Sequence, residues 1–264
     1  MQPSGMNDRS AGLAKYAAVT KRGTSVATAR LYGGLSSDER RADRRSRLLE
    51  AAFHLFGTAG YPTVSIPDIC SRAGVTARHF YEEFVSREAL IKQLYDDIGF
   101  IVLHRIRHAL LEGGPGAENI VRAGCTAYVE YLTSDPRRAR LLSIEVAGIS
   151  RHLDQHRLNM RRRFAQVITE SSQRLRQVDS DPGVDLGLVS TLLTGAADAL
   201  MIEWALTRMP SVQALIDTLT TVWMRSLQLD RIDEVPRVLS ASQLRKSPHE
   251  SSAAKASKGK PREN

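Results

Sequence analysis

The amino-acid sequence predicts an all-α protein, with a small N-terminal unit of three helices followed by a larger helical body. Three observations predict this fold class. Apolar residues recur at helical spacing through the middle of the chain, short Gly, Pro and Asp signals separate these segments, and no alternating β-branched run stands out. A chain of 264 residues is long enough for one or two domains with a substantial core.

Composition divides the chain into four parts. Residues 1–36 are rich in Gly, Ser, Ala, Thr and basic residues and predict a flexible basic arm, while residues 231–264 predict a disordered basic tail. Between them we expect a three-helix unit over 37–86 and a helical body over 87–230.

The first helix is expected to begin near Ser37, whose hydroxyl would cap it, with Arg40 rather than a glutamate at the third helical position. Its apolar residues are spaced for one buried face, and it should end within residues 57–60, where two glycines lie. A turn at Tyr61-Pro62 follows.

The next segment has the features of two short helices joined by a tight turn. Ser65 caps the second helix, Asp68 completes a short-armed capping box, and Gly74 ends the helix because glycine adopts positive φ readily. Val75 is the buried anchor of the turn, and Thr76 caps the third helix.

This arrangement predicts a helix-turn-helix that reads the major groove of DNA. Phe80 and Phe84 lie four residues apart and must face inward, so the opposite face is free for base edges. Arg78 offers a planar fork for guanine, and Thr76 and Tyr81 could hold phosphates. The predicted DNA-binding residues are Ser65, Thr76, Ala77, Arg78, His79, Tyr81 and Arg87, with Arg44 and Arg45 from the basic segment before or within the first helix.

Other interpretations of these residues stay open. Arg78 could be an ordinary surface arginine, Tyr81 could serve packing alone, and the basic segment could be a solvated arm. Glu82 and Glu83 suit a phosphate surface poorly and are expected to face solvent, or one of them accepts a hydrogen bond from cytosine. The net charge of +8 and the isoelectric point of about 9.8 favour an anionic partner but do not identify it.

The same stretch resembles the N-terminal domain of TetR-family regulators. The resemblance runs without a gap from Arg47 to Leu90 and rests on RLLEAAFHLF, GY, SIPDIC, AGVT, FYEEF and SREAL. It implies that residues 76–81 form the recognition helix and that Tyr81 and Arg87 hold the DNA backbone. The family often has Lys at position 87, Leu at position 80 and usually Ala at position 70.

The later helices are expected to build a dimer interface and a ligand cavity. Two neighbouring apolar stripes, on the last two helices, look like half of a four-helix homodimer interface, as the resemblance implies, although packing within one chain would give the same pattern. The predicted helices are Glu118–Thr133, Pro136–Ile149, Leu153–Val178, Asp185–Arg208 and Ser211–Asp230, after a fourth helix that Ser86 caps. The predicted pocket residues are Tyr128, Tyr131, Met160, Phe164 and Trp204, with Glu145 and His152 as polar handles.

Several classes of function are not expected. Two distant cysteines, Cys70 and Cys125, suggest buried free thiols, and the pairs His104/His108 and His152/His156 lack the further ligands of a metal site. We expect no cofactor, no signal peptide, no membrane span and therefore a cytoplasmic protein. The sequence contains no Gly-rich phosphate loop, no nucleophile elbow and no paired carboxylates, so we do not expect an enzyme.

The sequence therefore predicts a one-component transcriptional regulator, most often a repressor in this family. Its homodimer would bind a palindromic operator in double-stranded DNA and leave it when a small-molecule effector enters the body. The alternative is an architectural DNA-binding protein that needs no effector and binds any sequence equally well.

Overall fold

The computed structural model describes residues 36–176 and 184–229, and all regular secondary structure within these ranges is helical. The predicted arm, except for Ser36, and the predicted tail lie outside the described residues. The helices are α1 (Ser37–Thr58), α2 (Ile66–Ala73), α3 (Ala77–Glu83), α4 (Arg87–Glu112), α5 (Ala117–Thr133), α6 (Pro136–Arg140), α7 (Arg151–Leu175), α8 (Leu186–Thr207) and α9 (Val212–Ser226).

The start of α1 differs from the prediction. Ser36, not Ser37, is the N-cap: its hydroxyl accepts from the Glu39 N–H at 3.2 Å, and its own N–H donates to the Glu39 carboxylate at 2.7 Å. These bonds also lower the pKa of Glu39. Counting from Ser36 puts a glutamate at the third helical position, so a complete capping box forms. The prediction was wrong by one residue because it began from the second of two adjacent serines.

The helix-turn-helix forms as predicted from local sequence. Ser65 and Asp68 make a capping box at the start of α2, and Gly74 ends that helix with φ of 61°. Val75 is buried in the turn, and Phe80 and Phe84 are buried on the inner face of α3. A single apolar core beneath α1–α3 therefore fixes which face of α3 is outermost.

The body is a bundle in which α4 and α9 pack on α5, and α7 packs on α8. The predicted helix Pro136–Ile149 is shorter than expected. It forms α6 and then continues as a π-helical turn, Leu141–Glu145, before the chain turns at Gly148 with φ of 72°. The helix predicted over Leu153–Val178 is α7, which ends at Leu175.

Candidate nucleic-acid interface and its connection to the body

Helix α3 presents one polar face to solvent. The helix has only 7 residues and would be unstable alone, so its position depends on the buried Phe80 and Phe84. On the opposite face the Arg78 side chain is 88% exposed and Tyr81 is 59% exposed, and Ala77 is exposed between them. The structure therefore places the three residues on one open surface.

The contacts of this outer face are local and accessible to solvent. Arg78 Nε lies 3.3 Å from Glu82 Oε1, one helical turn away. Thr76 Oγ1 accepts from the His79 N–H at 3.4 Å and lies 3.0 Å from His79 Nδ1. Exposed ion pairs of this kind contribute little stability, so exchanging them for DNA contacts costs little.

Ser65 is engaged in its own helix cap. Its hydroxyl donates to Asp68 Oδ2 at 2.5 Å and accepts from the Asp68 N–H at 3.3 Å. The same hydrogen bonds lower the pKa of Asp68, which keeps a negative charge beside the serine. The structure therefore gives the Ser65 hydroxyl a capping role, and its contact with DNA stays a prediction.

Arg45 holds the three-helix unit together instead of projecting toward a ligand. Its guanidinium donates to the Glu83 carbonyl oxygen and to Gln93 Oε1, each at 3.2 Å, and lies 4.4 Å from the centre of the Phe84 ring. The Glu83 carboxylate also pairs with Arg41 at 2.9 Å, and its side chain is only 2% exposed. The expectation that Glu83 faces solvent is corrected, whereas the contact of Arg45 with DNA stays a prediction.

Arg87 is also occupied within the protein. It donates to the Val64 carbonyl oxygen, and its guanidinium lies 4.1 Å from the centre of the Tyr61 ring. Arg44 is half-buried as a residue, and its buried Nε has no hydrogen-bond partner among the described residues.

A connection between α6 and the end of α1 was not predicted. Arg140 Nη1 donates to the Thr58 carbonyl at 2.9 Å, and Arg140 Nε donates to Glu145 Oε1 at 2.6 Å. Glu145 Oε2 accepts the Tyr61 N–H at 2.6 Å. These residues lie more than eighty positions apart along the chain, so no local pattern could have indicated the contact.

The same junction continues along α1. The Arg137 guanidinium lies 4.7 Å from the centre of the Phe53 ring and 3.2 Å from His54 Nδ1. Gly57 permits this approach, because a Cβ at that position would lie 2.5 Å from Arg137 Cβ. The body and the three-helix unit are therefore in direct contact through α6.

A cavity of about 50 Å³ lies between α4, α5, α7, α8 and α9. Tyr128 and Phe164 line it, as the sequence suggested. Its other walls include residues that the sequence did not single out. These are Tyr95, Ile106, Leu142, Arg157, Arg161, Val167, Ile168, Thr194, Ala197, Asp198 and Trp223.

Five predicted pocket residues lie outside this wall. Tyr131 is held between the guanidinium groups of Arg105 and Arg138, His152 is exposed, and Glu145 belongs to the junction with α1. The remaining two are core residues, Met160 beside Gly99 and Trp204 beneath Arg208. The four predicted aromatic residues divide equally, with Tyr128 and Phe164 at the cavity and Tyr131 and Trp204 outside its wall.

An unpaired apolar surface runs along α8. Leu188, Leu192 and Leu206 are 70%, 68% and 70% exposed, and Val222 of α9 is also exposed. On length and composition alone, α8 is the one described helix that could cross a membrane, a test that core helices of soluble proteins also pass. It carries Asp198, whose carboxylate pairs with Arg161, so its other face belongs to the bundle.

The histidine pairs do not converge on further ligands. Within residues 36–176 and 184–229, no group of three or more His, Cys, Asp or Glu side chains could hold a metal ion. His108 instead pairs with Glu112 at 3.0 Å, and His156 lies 2.5 Å from Asp96.

The DNA-binding segment is similar to a known family of regulators. Residues 48–94, which contain the whole helix-turn-helix, match the model of the bacterial regulatory proteins of the tetR family. This segment of the chain is therefore similar to the DNA-binding domain of TetR-family transcriptional regulators. A curated relative, the uncharacterized HTH-type transcriptional regulator YdgC of Bacillus subtilis, is 27% identical over 171 residues, covering 62% of this chain and 83% of the relative.

Solved structures of TetR-like regulators share the fold beyond the DNA-binding domain. The fatty acid degradation regulator FadR from Bacillus halodurans superposes with a TM-score of 0.62 at 16% identity, covering 69% of this chain and 94% of that one. FadR from Bacillus subtilis, in complex with stearoyl-CoA, gives 0.61 at 15% identity, covering 69% and 98%. At this level of sequence identity, the similarity shows a shared fold that includes the helical body of this chain.

Proposed function

We propose that this chain is a TetR-family regulator that acts as a cytoplasmic homodimeric repressor. Each protomer would place α3 in the major groove of one half of a palindromic operator, and a small molecule in the body would release the DNA. Two recognition helices must lie about 34 Å apart, one DNA turn, to read such a site.

The proposed ligand response is supported by one short segment that contacts both the cavity and the DNA-binding unit. In the π-helical turn Leu141–Glu145, Leu142 lines the cavity and Glu145 accepts the Tyr61 N–H at 2.6 Å. A ligand that moves Leu142 must therefore shift or strain the contact that holds the DNA-binding unit. Single-turn π segments of this kind frequently occur at functional sites.

The exposed apolar face of α8 supports the homodimer. Leu188, Leu192 and Leu206 repeat at helical spacing, with Ala196 and Ala199 exposed between them, where a second helix could approach closely. Contiguous apolar surface is unfavourable in water, so a partner that covers it would stabilise the protein. A second copy of the chain brings the same face and a second α3.

A ligand in the body also agrees with the similar fold of Bacillus subtilis FadR, which was solved with stearoyl-CoA. The energetic requirement is modest. A coupling free energy of about 1–3 kcal/mol between effector and operator is typical of allosteric proteins.

Binding to the upstream region of the gene tests the DNA-binding role. Arg78→Ala should weaken binding to a selected operator by about 1–3 kcal/mol per half-site while leaving binding to random DNA nearly unchanged. Arg162→Ala, an exposed arginine of α7, is the matched control and should bind like the wild type. Unchanged site preference in Arg78→Ala would contradict the recognition-helix assignment. Equal affinity of the wild type for operator and random DNA would favour an effector-independent architectural protein.

Light scattering tests the dimer. Leu192→Glu places a charge on the exposed face of α8 and should convert the dimer to a monomer that binds the operator more weakly. Leu158→Glu is the matched control, because Leu158 is an exposed leucine on α7. A Leu192→Glu protein that remains dimeric would place the interface elsewhere.

A further inference from the structure

The charge of the cavity wall restricts the charge of a ligand that could bind there. Three ionised side chains line it, Arg157, Arg161 and Asp198. Arg161 pairs with Asp198, whereas Arg157 lies 3.6 Å from Asp154, a residue that is not part of the wall. The wall therefore has an excess of positive charge, which disfavours a cationic ligand and favours an anionic one.

One residue of the wall has a buried polar group without a partner. Trp223 is 8% exposed, and its indole N–H has no hydrogen-bond partner among the described residues. An unsatisfied buried donor is rare in folded proteins and needs an explanation. A ligand oxygen that accepts a hydrogen bond would supply the missing partner.

Two hydroxyl groups of the wall stay neutral. Burial raises the pKa of Tyr95 and of Tyr128 well above the usual value for tyrosine, so neither adds negative charge at physiological pH. The remaining wall is largely apolar, with Phe164, Val167 and Ile168 on one side.

The shape of the cavity indicates where an apolar chain would go. At about 50 Å³ the cavity has room for little more than a few water-sized groups, so a ligand must displace side chains. Val167 lines both this cavity and a second one of about 30 Å³. The wall of the second cavity is apolar at Leu110, Leu111, Ile120 and Leu175 and polar or charged at Arg107, Glu170, Ser171 and Arg174. Movement of Val167 would open a path from the first cavity to the apolar part of the second.

We propose that the cavity binds a singly acidic amphiphile, with its anionic group between Arg157 and Arg161 and its apolar chain directed past Val167. The inference rests on the proposed ligand-responsive function and names the class of its ligand. The acidic group would compete with Asp198 for Arg161 and would bring acceptor oxygens to a wall that has an unpaired donor. Leu142 borders the same space, so the ligand would act on the junction with α1.

Calorimetric titration of the full-length chain with three probes of equal chain length tests this class. Dodecanoate should bind about tenfold or more tightly than dodecanol, because a hydrogen bond to a charged group is worth about that factor. Dodecyltrimethylammonium should not bind measurably. Equal affinity for the acid and the alcohol, or preference for the cation, would overturn the proposal.

Variants assign the binding to the named residues. The double variant Arg157→Gln/Arg161→Gln should lower dodecanoate affinity to that of dodecanol and leave dodecanol unchanged, whereas a general disruption of the fold would weaken both. Arg162→Gln, the exposed neighbour on α7, should bind dodecanoate like the wild type. Trp223→Phe keeps an aromatic ring but removes the N–H, so it should lower the affinity for dodecanoate by about fivefold. Unchanged dodecanoate affinity in the double variant would overturn the assignment.

Operator binding measured in the absence of the three amphiphiles distinguishes a failure of the proposed ligand class from a failure of the proposed repressor. If the protein binds its operator specifically but takes up no acidic amphiphile, the ligand class is wrong and the regulator stands. If dodecanoate binds through the two arginines but no operator is recognised, the proposed repressor fails and the binding site remains.

Discussion

The three-helix unit and the body bury their apolar residues to different degrees. In α1–α3 the large apolar residues Phe56, Ile69 and Phe80 are fully buried, and apart from Ala77 and Tyr81 the exposed face of α3 is polar. In the body, α8 leaves Leu188 and Leu192 uncovered, and a cavity interrupts the core. Among the described residues, the first region covers its large apolar side chains within one chain, whereas the second leaves a cavity and an uncovered apolar surface.

The largest expected effect tests how far the DNA-binding unit depends on its core. Phe80→Ala should lower the free energy of unfolding by about 3–5 kcal/mol, because it removes a fully buried ring. Tyr81→Ala removes a neighbouring ring from the exposed face and should change stability by less than about 0.5 kcal/mol while weakening DNA binding. Chemical denaturation measures both, and similar losses for the two variants would contradict the inward and outward assignment.

A buried carboxyl group in the body predicts a dependence on pH. Burial raises the pKa of Asp97 to about 6, and the neighbouring charge of Asp96 adds to this. The folded protein therefore binds this proton more tightly than the unfolded chain, so the contribution of Asp97 to stability is greatest at low pH and falls as pH rises toward 6. Asp97→Asn should raise the free energy of unfolding at pH 7 by up to about 3 kcal/mol.

The control for Asp97 is the pH series itself. The gain from Asp97→Asn should shrink as pH falls from 7 toward 4, where the wild-type carboxyl group is protonated in the folded protein. Gln93 donates to Asp97 at 2.9 Å, and an asparagine oxygen can accept the same bond, so the hydrogen bond is preserved. A gain that does not change with pH would mean that Asp97 is ionised in the folded protein throughout this range.

A smaller effect is expected at the contact between the two regions. Gly57→Ala would bring a new Cβ within 2.5 Å of Arg137 Cβ, so α1 and α6 must separate, at a cost of about 1–3 kcal/mol in stability. Gly195→Ala on α8 is the matched control, because its Cβ would meet nothing within 4 Å in the protomer. Both variants are best compared by denaturation in the Leu192→Glu background, which keeps the proposed dimer interface out of the measurement. Equal stability would exclude a tight junction at Gly57.

The sequence predicted local features well and long-range contacts poorly. The cap at Ser65, the positive φ of Gly74 and the inward Phe80 follow from rules that act within a few residues, and all three are present. The role of Arg45 depends on Glu83 and Gln93, which lie 38 and 48 positions away, so the sequence suggested a free basic residue instead.

The cavity was predicted least well, for the same reason. Its wall combines side chains from five helices, and the sequence gives no order of packing among them. Tyr128 and Phe164 were found because large aromatic residues are frequent in both cores and cavities. The sequence did not single out Arg157 or Asp198, and the packing of α7 on α8 brings them to one space.

The smallest predicted effect separates two adjacent serines at the start of α1. Ser36→Ala removes the hydroxyl that accepts the Glu39 N–H and should lower the free energy of unfolding by about 1 kcal/mol. Ser37→Ala is the matched control and should be neutral or slightly stabilising, because Ser37 is exposed within the helix and alanine favours helices. The reverse order of the two losses would restore Ser37 as the cap. Arg41 lies just after the first turn of α1 and pairs with Glu83 at the end of α3. Fraying of that turn would therefore also weaken the contact between α1 and α3.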